Sequence, residues 1–230
     1  MIGRTPDAVA MKLSNFASLD PYPQSRGIIG LQNASKADHE IWEEFNANWS
    51  HLAVESEAVY QQLVGDDEVV TSVKETSLPT YRGMTETEQI VKIRIGQNFF
   101  RKVILTSYAN KCCICGLPIP ELLIASHIIP WRDDEKLRVN PQNGLCLCAL
   151  HDKSFDRGLI TVSSSYEVII GQGIRQYLPD EIITRSFELY AGTPIKLPDK
   201  FPQIKTFYKS ITRNILLDNP LMMPYCPGTS

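Results

Sequence analysis

The sequence predicts an α+β protein. It divides into a mainly helical N-terminal region (1–84), a compact strand–strand–helix unit within 85–172, and a C-terminal extension (173–230). Three observations carry that prediction. Apolar residues recur at helical spacing early in the chain. Two short strand-like runs lie close together in its middle. Five of the six cysteines fall between Cys112 and Cys148, around those runs; the sixth is Cys226.

The N-terminal elements come first. Residues 1–34 read as irregular, with turn signals at Asp20-Pro-Tyr-Pro23 and Ser25-Arg-Gly27. Ser35 is a candidate N-cap before Asp38. Trp42, Phe45, Trp49 and Leu52 then follow at spacings of three, four and three. That is one apolar face of a helix reaching about Val64, and core packing is its natural role. The flanking Glu40, Glu43, Glu44, Glu55 and Glu57 read as a solvated face. Gly65-Asp-Asp67 ends the helix, and 66–84 reads as a connector. Thr85-Glu-Thr-Glu88 fits a capping box. It opens a helix that runs to about Asn110, with an interruption at Gly96. Lys92, Arg94, Arg101, Lys102 and Lys111 make this the most basic stretch of the chain. Such a stretch can hold phosphates, or it can be the wet side of an amphipathic helix.

A composition of 43% hydrophobic and 21% charged residues allows a sizeable core. The formal net charge of −3 excludes a protein that is basic all over, although local patches still permit nucleic-acid binding. No apolar run reaches the roughly 18 residues needed to span a bilayer. The N-terminus shows no basic-then-apolar signal pattern. A cytoplasmic chain with reduced thiols is the expectation, and there clustered cysteines favour metal binding over disulfides.

The middle of the chain carries the chemistry. Leu122 to Ile129 is apolar and partly β-branched, a strand that would hold His127. Gly144 to Cys148 allows a second strand. Leu150 to Phe155 opens a helix that Gly158 ends. A unit of about 45 residues cannot bury much core by itself. Cys112-x2-Cys115 and Cys148-x2-His151 could staple it, because two such pairs match a tetrahedral structural zinc site. The other reading is a set of buried free cysteines. Cys113 and Cys146 lie one or two residues from the nominated ligands and could replace them. Asp152 and Asp156, four apart, share a helix face. They could hold a hard cation such as Mg²⁺ or Mn²⁺, or be an exposed pair. His127 is neutral near pH 7 and could take a proton from water. Alternatively it is a core histidine. Downstream, Tyr166 to Ile170 reads as a strand, Ile182 to Tyr190 as a helix, 192–203 as extended and Phe207 to Leu217 as a last short helix.

Ser126-His127-Ile-Ile-Pro-Trp131, Asn143-Gly-Leu, and His151-Asp152 through Phe155-Asp156-Arg-Gly-Leu-Ile160 together resemble the HNH (ββα-metal) endonuclease family. The nearest subgroup is bacterial HNH proteins described as restriction endonucleases. The resemblance covers about 100–165. More loosely it includes Asn15-Phe-Ala-Ser-Leu-Asp20, Arg26-Gly27 and Asn33-Ala-Ser-Lys36. It implies a ββα-metal centre in which His127 is the general base and Asn143 braces the turn and orients that base. Two registers compete for the helix. In one, Cys112, Cys115, Cys148 and His151 hold zinc, while Asp152 and Asp156 hold the catalytic cation (Mg²⁺, Mn²⁺ or Ni²⁺). In the other, His151 is itself a catalytic-metal ligand. The first uses both Cys-x2 pairs and both aspartates. Ser126 departs from the pattern, since many members carry an Asp there as a metal ligand. The implied activity is hydrolysis of phosphodiester bonds in double-stranded DNA, in restriction or defence. Arg101, Lys102, Arg132, Lys153 and Arg157 are the candidate phosphate contacts. A two-fold homodimer would cut both strands most simply. The rival readings are a zinc-stapled DNA-binding module with weak or no catalysis, and a nuclease acting on RNA or single strands.

Overall fold

The computed structural model describes residues 3–64, apart from 22, 23, 25, 26, 28, 29, 32 and 47, together with 86–198. The connector at 66–84, the cap proposed at Thr85, the helix expected at Phe207 to Leu217, and Cys226 lie outside the described residues. The chain forms two compact units, Met1–Phe99 and Phe100–Ser230. No helix among the described residues is long and apolar enough to cross a membrane.

In the first unit, α1 (Pro6–Leu19) corrects the irregular reading of residues 1–34. Its start signals are local: Thr5 caps the Ala8 N–H, Pro6 opens the first turn and Asp7 follows. The apolar stripe that would have announced it is missing, because Val9, Met11 and Leu13 are exposed. Helix α2 (Lys36–Phe45) begins at Ser35 with a reciprocal capping box to Asp38. Asp38 is 2% exposed and also accepts from Lys12 Nζ at 2.7 Å and Asn15 Nδ2 at 3.3 Å, tying α2 to α1. The Lys12 hydrogen bond, followed by the bond from the Ser35 backbone, holds the Asp38 carboxyl well below the usual carboxylate range. The single helix expected from Ser35 to Val64 is in fact two. Asn48 Oδ1 accepts the His51 N–H at 3.1 Å and caps a new helix, α3 (Trp49–Val64). The rings of Phe45 and His51 stack across the break, 5.1 Å apart.

Helix α4 (Glu86–Ser107) runs through Gly96 without the expected interruption. The unit boundary falls within it, and the second unit starts at Phe100. The helix ends where Ala109 and Asn110 take positive φ values of 51° and 52°. Strands β1 (Leu123–His127) and β2 (Gly144–Cys148) pair antiparallel, with His127 opposite Gly144 and Leu123 opposite Cys148. All of β2 is buried, as its unbroken apolar character requires. Helix α5 (Ala149–Asp156) follows β2 directly. A second hairpin, β3 (Ile160–Val162) with β4 (Val168–Ile170), comes next, then α6 (Gln172–Arg175) and α7 (Glu181–Ser186). The helix expected over Ile182 to Tyr190 breaks at Phe187, and a 3-10 turn covers Glu188–Tyr190. The core of this unit is Phe100, Ile104, Leu123, Leu145, Leu147, Phe155, Ile160, Val162, Ile170 and Phe187.

Candidate metal centre and base

Cys112 to Cys115 forms a tight knuckle after α4. The Gly116 N–H donates to Cys112 O at 2.9 Å, and Cys112 N–H donates to Leu117 O at 3.0 Å. Gly116 turns the chain with φ 76°, a conformation that suits glycine. The knuckle meets the junction of β2 and α5. Cys112, Cys115, Cys148 and His151 bring one ligand atom each within 4.8 Å of one another. His151 Nδ1 lies 3.5 Å from Cys112 Sγ and 3.2 Å from Cys148 Sγ, and Cys115 Sγ is 3.9 Å from Cys148 Sγ. A zinc tetrahedron with Zn–S of about 2.3 Å and Zn–N of about 2.0 Å has edges of about 3.5–3.8 Å. These four donors could therefore hold zinc.

The imidazole is aimed for that role. A carbonyl can only accept, so His151 Nε2 carries a proton and donates it to Ser186 O at 2.9 Å. The Nδ1 side is left to the sulfurs, and the outer hydrogen bond fixes the ring. Phe187 and Tyr190 pack edge-on against the same ring. Both nitrogens of His151 are thereby engaged, which favours Asp152 over His151 as a ligand for any catalytic cation. Without metal the donors share protons. Burial pulls the His151 imidazole down, but hydrogen bonds to Cys112 and Cys148 and to the Ser186 carbonyl outweigh it, and its pKa rises to about 10. Hydrogen bonds from Cys115 and Cys148 push the Cys112 thiol down. The two spare cysteines stand outside the cluster. Burial, reinforced by the Cys112 charge, pushes Cys113 well up and Cys146 to about 12, so both remain thiols.

The second group lies at the other end of β1. His127 Nε2 donates to Arg138 O at 2.8 Å. By the same reasoning Nε2 bears the proton, and Nδ1 presents a lone pair. Burial lowers the His127 pKa, against the Arg138 carbonyl and the Asp156 charge, which both raise it. The ring is stacked on Phe100 and meets Trp131 edge-on. Arg138 braces the same loop: its Nε donates to Trp131 O at 2.9 Å, and its guanidinium sits over the Trp131 ring.

Asn143 closes this loop from inside and is 1% exposed. Its Oδ1 accepts the Ile129 N–H at 2.7 Å. Its Nδ2 donates to Ile129 O at 3.0 Å and Leu137 O at 3.2 Å. The backbone after His127 and the loop that supplies the Arg138 carbonyl are thus held by one amide. Replacing Asn143 with Ala will orphan these partly buried backbone groups, each worth up to about 1–3 kcal/mol. Denaturant unfolding should show a loss of that order.

Asp152 and Asp156 follow on α5, one turn apart. Burial raises the Asp152 pKa, and the neighbouring Asp156 charge adds to it. A hydrogen bond from the buried Ser126 hydroxyl opposes that rise. Two like-charged carboxylates, one half-buried, are a donor set suited to a hard divalent cation that completes its shell with water and phosphate oxygens.

The basic candidates separate. Lys102, Arg132, Lys153 and Arg157 are exposed, as are Lys92, Arg94 and Lys111. Arg132 pairs with Asp133 at 3.4 Å. Arg101 has a structural engagement that its sequence context hid. Its Nη1 donates to Leu123 O at 2.7 Å and Nη2 to Pro120 O at 3.2 Å, at the end of β1 far from His127. Sequence reasoning missed Phe100, the carbonyls of Arg138 and Ser186, and the Ser126–Asp152 contact. Backbone carbonyls leave no residue signature. Phe100 lies 27 positions from the ring it covers, so only the packing of α4 on the hairpin reveals it.

Residues 112–163 match the family model described as HNH endonuclease. No curated protein matches the chain. The segment that builds both groups of side chains is therefore an HNH endonuclease domain by its match to that family model.

Proposed function

We propose that this protein is an endonuclease that hydrolyses phosphodiester bonds of double-stranded DNA, in restriction or defence. The observation that carries the reading is the state of His127. It is half-buried, its surroundings favour the neutral form, and it is held through Nε2 so that Nδ1 is left as the proton acceptor. Nδ1 takes a proton from water as the water oxygen forms its bond to phosphorus. The bond from phosphorus to the 3′ oxygen breaks. Asp152 and Asp156 would hold the cation, which would stabilise charge on the phosphoryl and leaving oxygens when bound. Ser126, through its hydroxyl, orients Asp152 where many family members would add a carboxylate.

Zinc at Cys112, Cys115, Cys148 and His151 would do no chemistry, because all four positions are protein ligands. Lys153, exposed on α5, Arg157, exposed at its C-cap, and Arg132 after β1 would meet the phosphate backbone. The 1–84 region would serve recognition or assembly.

The test is incubation with modified and unmodified plasmid, with RNA and with single strands, across Mg²⁺, Mn²⁺ and Ni²⁺, followed by end-mapping. Cleavage of duplex DNA leaving 3′-hydroxyl and 5′-phosphate ends is expected under at least one metal if attack proceeds as written. Cutting confined to RNA or single strands would replace the substrate. Tight DNA binding with no cutting under any metal would leave a binding module.

A further inference from the structure

We propose that Phe100 is the positioning residue for His127: its ring fixes the plane of the imidazole and shields it from water. This rests on the reading of His127 as the general base. The two rings are 4.0 Å apart between centroids and 9° from parallel, a face-to-face stack. Trp131 meets the imidazole at 87°, 5.5 Å away, and closes a different side. With the Nε2 bond to Arg138 O, three contacts in different directions leave the ring one orientation.

The fold makes room for this stack. Phe100 is 2% exposed on α4, and β2 passes beneath it. The residue of β2 that pairs with His127 is Gly144. A Cβ at Gly144 would lie 2.8 Å from Phe100 Cζ and collide with Ile104. The absent side chain opposite His127 is what allows the phenyl ring to lie over the imidazole. Asn143 and Gly144 are thus adjacent residues with complementary tasks. Asn143 holds the backbone of the loop, and Gly144 opens the space that Phe100 fills.

Stacking also affects protonation. An imidazole covered by a phenyl face loses water that would solvate its charged form. The groups that favour its charged form are the backbone carbonyl of Arg138 on the loop and the Asp156 carboxylate on α5. Helix α4 faces it with the Phe100 ring. Those opposing influences stay in place when Phe100 is changed, so the contribution of the ring can be isolated.

The experiment uses the full chain with Phe100→Leu and Phe100→Met, which keep an apolar side chain and lose the flat face. Two readouts are taken. In the first, the His127 ring protons are followed by NMR in wild type and variants, assigned with His127→Asn. The wild-type resonances should lie upfield under the phenyl ring current. In the variants they should move downfield, and their titration midpoint should rise. In the second, kcat should fall about 10–100-fold, because a misplaced group costs that much, while KM for DNA changes less than threefold. Ile104→Val, on the same helix, should leave both readouts near wild type.

Wild-type His127 resonances without an upfield displacement would overturn the proposal even if neither variant folded. So would variants that fold and keep the wild-type midpoint and kcat. If the wild type cut no DNA, the nuclease reading would fail, and the ring-current and midpoint measurements alone would decide the role of Phe100.

Discussion

Replacing His127 with Ala will reduce DNA cleavage by about 10²–10⁴-fold, the usual worth of a positioned general base. DNA affinity should stay within a few-fold, because in the proposed role His127 would touch the attacking water and not the phosphate backbone. Single-turnover cleavage and a gel-shift titration check the two halves. The pH profile of the wild type is the sharper signature. The base works only when neutral, so activity is lost as pH falls through its pKa. Burial lowers that pKa below 6.5, against the pull of the Arg138 carbonyl and Asp156. The acid limb should therefore have its midpoint below pH 6.5, with a plateau at neutral pH. A midpoint above 7, or cleavage by His127→Ala near the wild-type rate, would show that another group takes the proton. Truncation also removes the partner of the Phe100 ring. Circular dichroism and zinc content must therefore match the wild type before the loss is read as chemistry.

Much of this centre was legible because its chemistry depends on side chains at short spacing. The two Cys-x2 pairs, the Asp-x3-Asp pair and the histidine on an apolar run each say something about ligands. The β1–β2–α5 order follows from where those runs begin and end. The N-terminal unit was less legible for a physical reason. Helix α1 shows no clean apolar stripe, and its signals are the cap at Thr5 and a proline, which carry little weight alone. The break at Asn48 hides inside an apolar pattern that happens to stay in phase across two helices. Two of the looser family-like segments contribute to the fold. Asn15 bonds the buried Asp38, and Ser35 caps α2. What the sequence could not display were contacts made by backbone or by distant rings: Arg138 O on His127, Ser186 O on His151, and Phe100 over the base. These determine which nitrogen of each histidine is available, and so which task each can perform.

If the cluster holds zinc as proposed, replacing Cys148 with Ser will cost the second unit its fold together with the metal. Cys148 ends β2, stands at the N-cap position of α5 and faces both Cys115 and His151. Structural zinc supplies about 10–16 kcal/mol of apparent binding energy in small metallo-domains. Typical domains are stable by only about 5–15 kcal/mol. Losing the site should remove the cooperative melting transition of this unit. Elemental analysis of the wild type should give one zinc per chain, and Cys148→Ser should retain little. Cys113→Ser and Cys146→Ser are the controls. They alter buried thiols outside the cluster and should keep zinc, at a cost of about 1–3 kcal/mol for a hydroxyl placed in an apolar site. The pH dependence has a definite sign. In the metal-free protein His151 is raised to about 10, so its proton contributes stability below about pH 6.5 and that contribution fades as pH rises through 10. Zinc must displace that proton, so zinc affinity should climb with pH and fall on acidification. The helix that Cys148 caps and that holds His151 also carries Asp152 and Asp156. A chelator strong enough to strip zinc should therefore abolish cleavage even in excess Mg²⁺, together with the fold. Withholding Mg²⁺ alone should abolish cleavage and leave melting unchanged. Zinc-free protein that melts like the wild type would sink the structural role, because the cluster would then be four neighbouring side chains that need no metal.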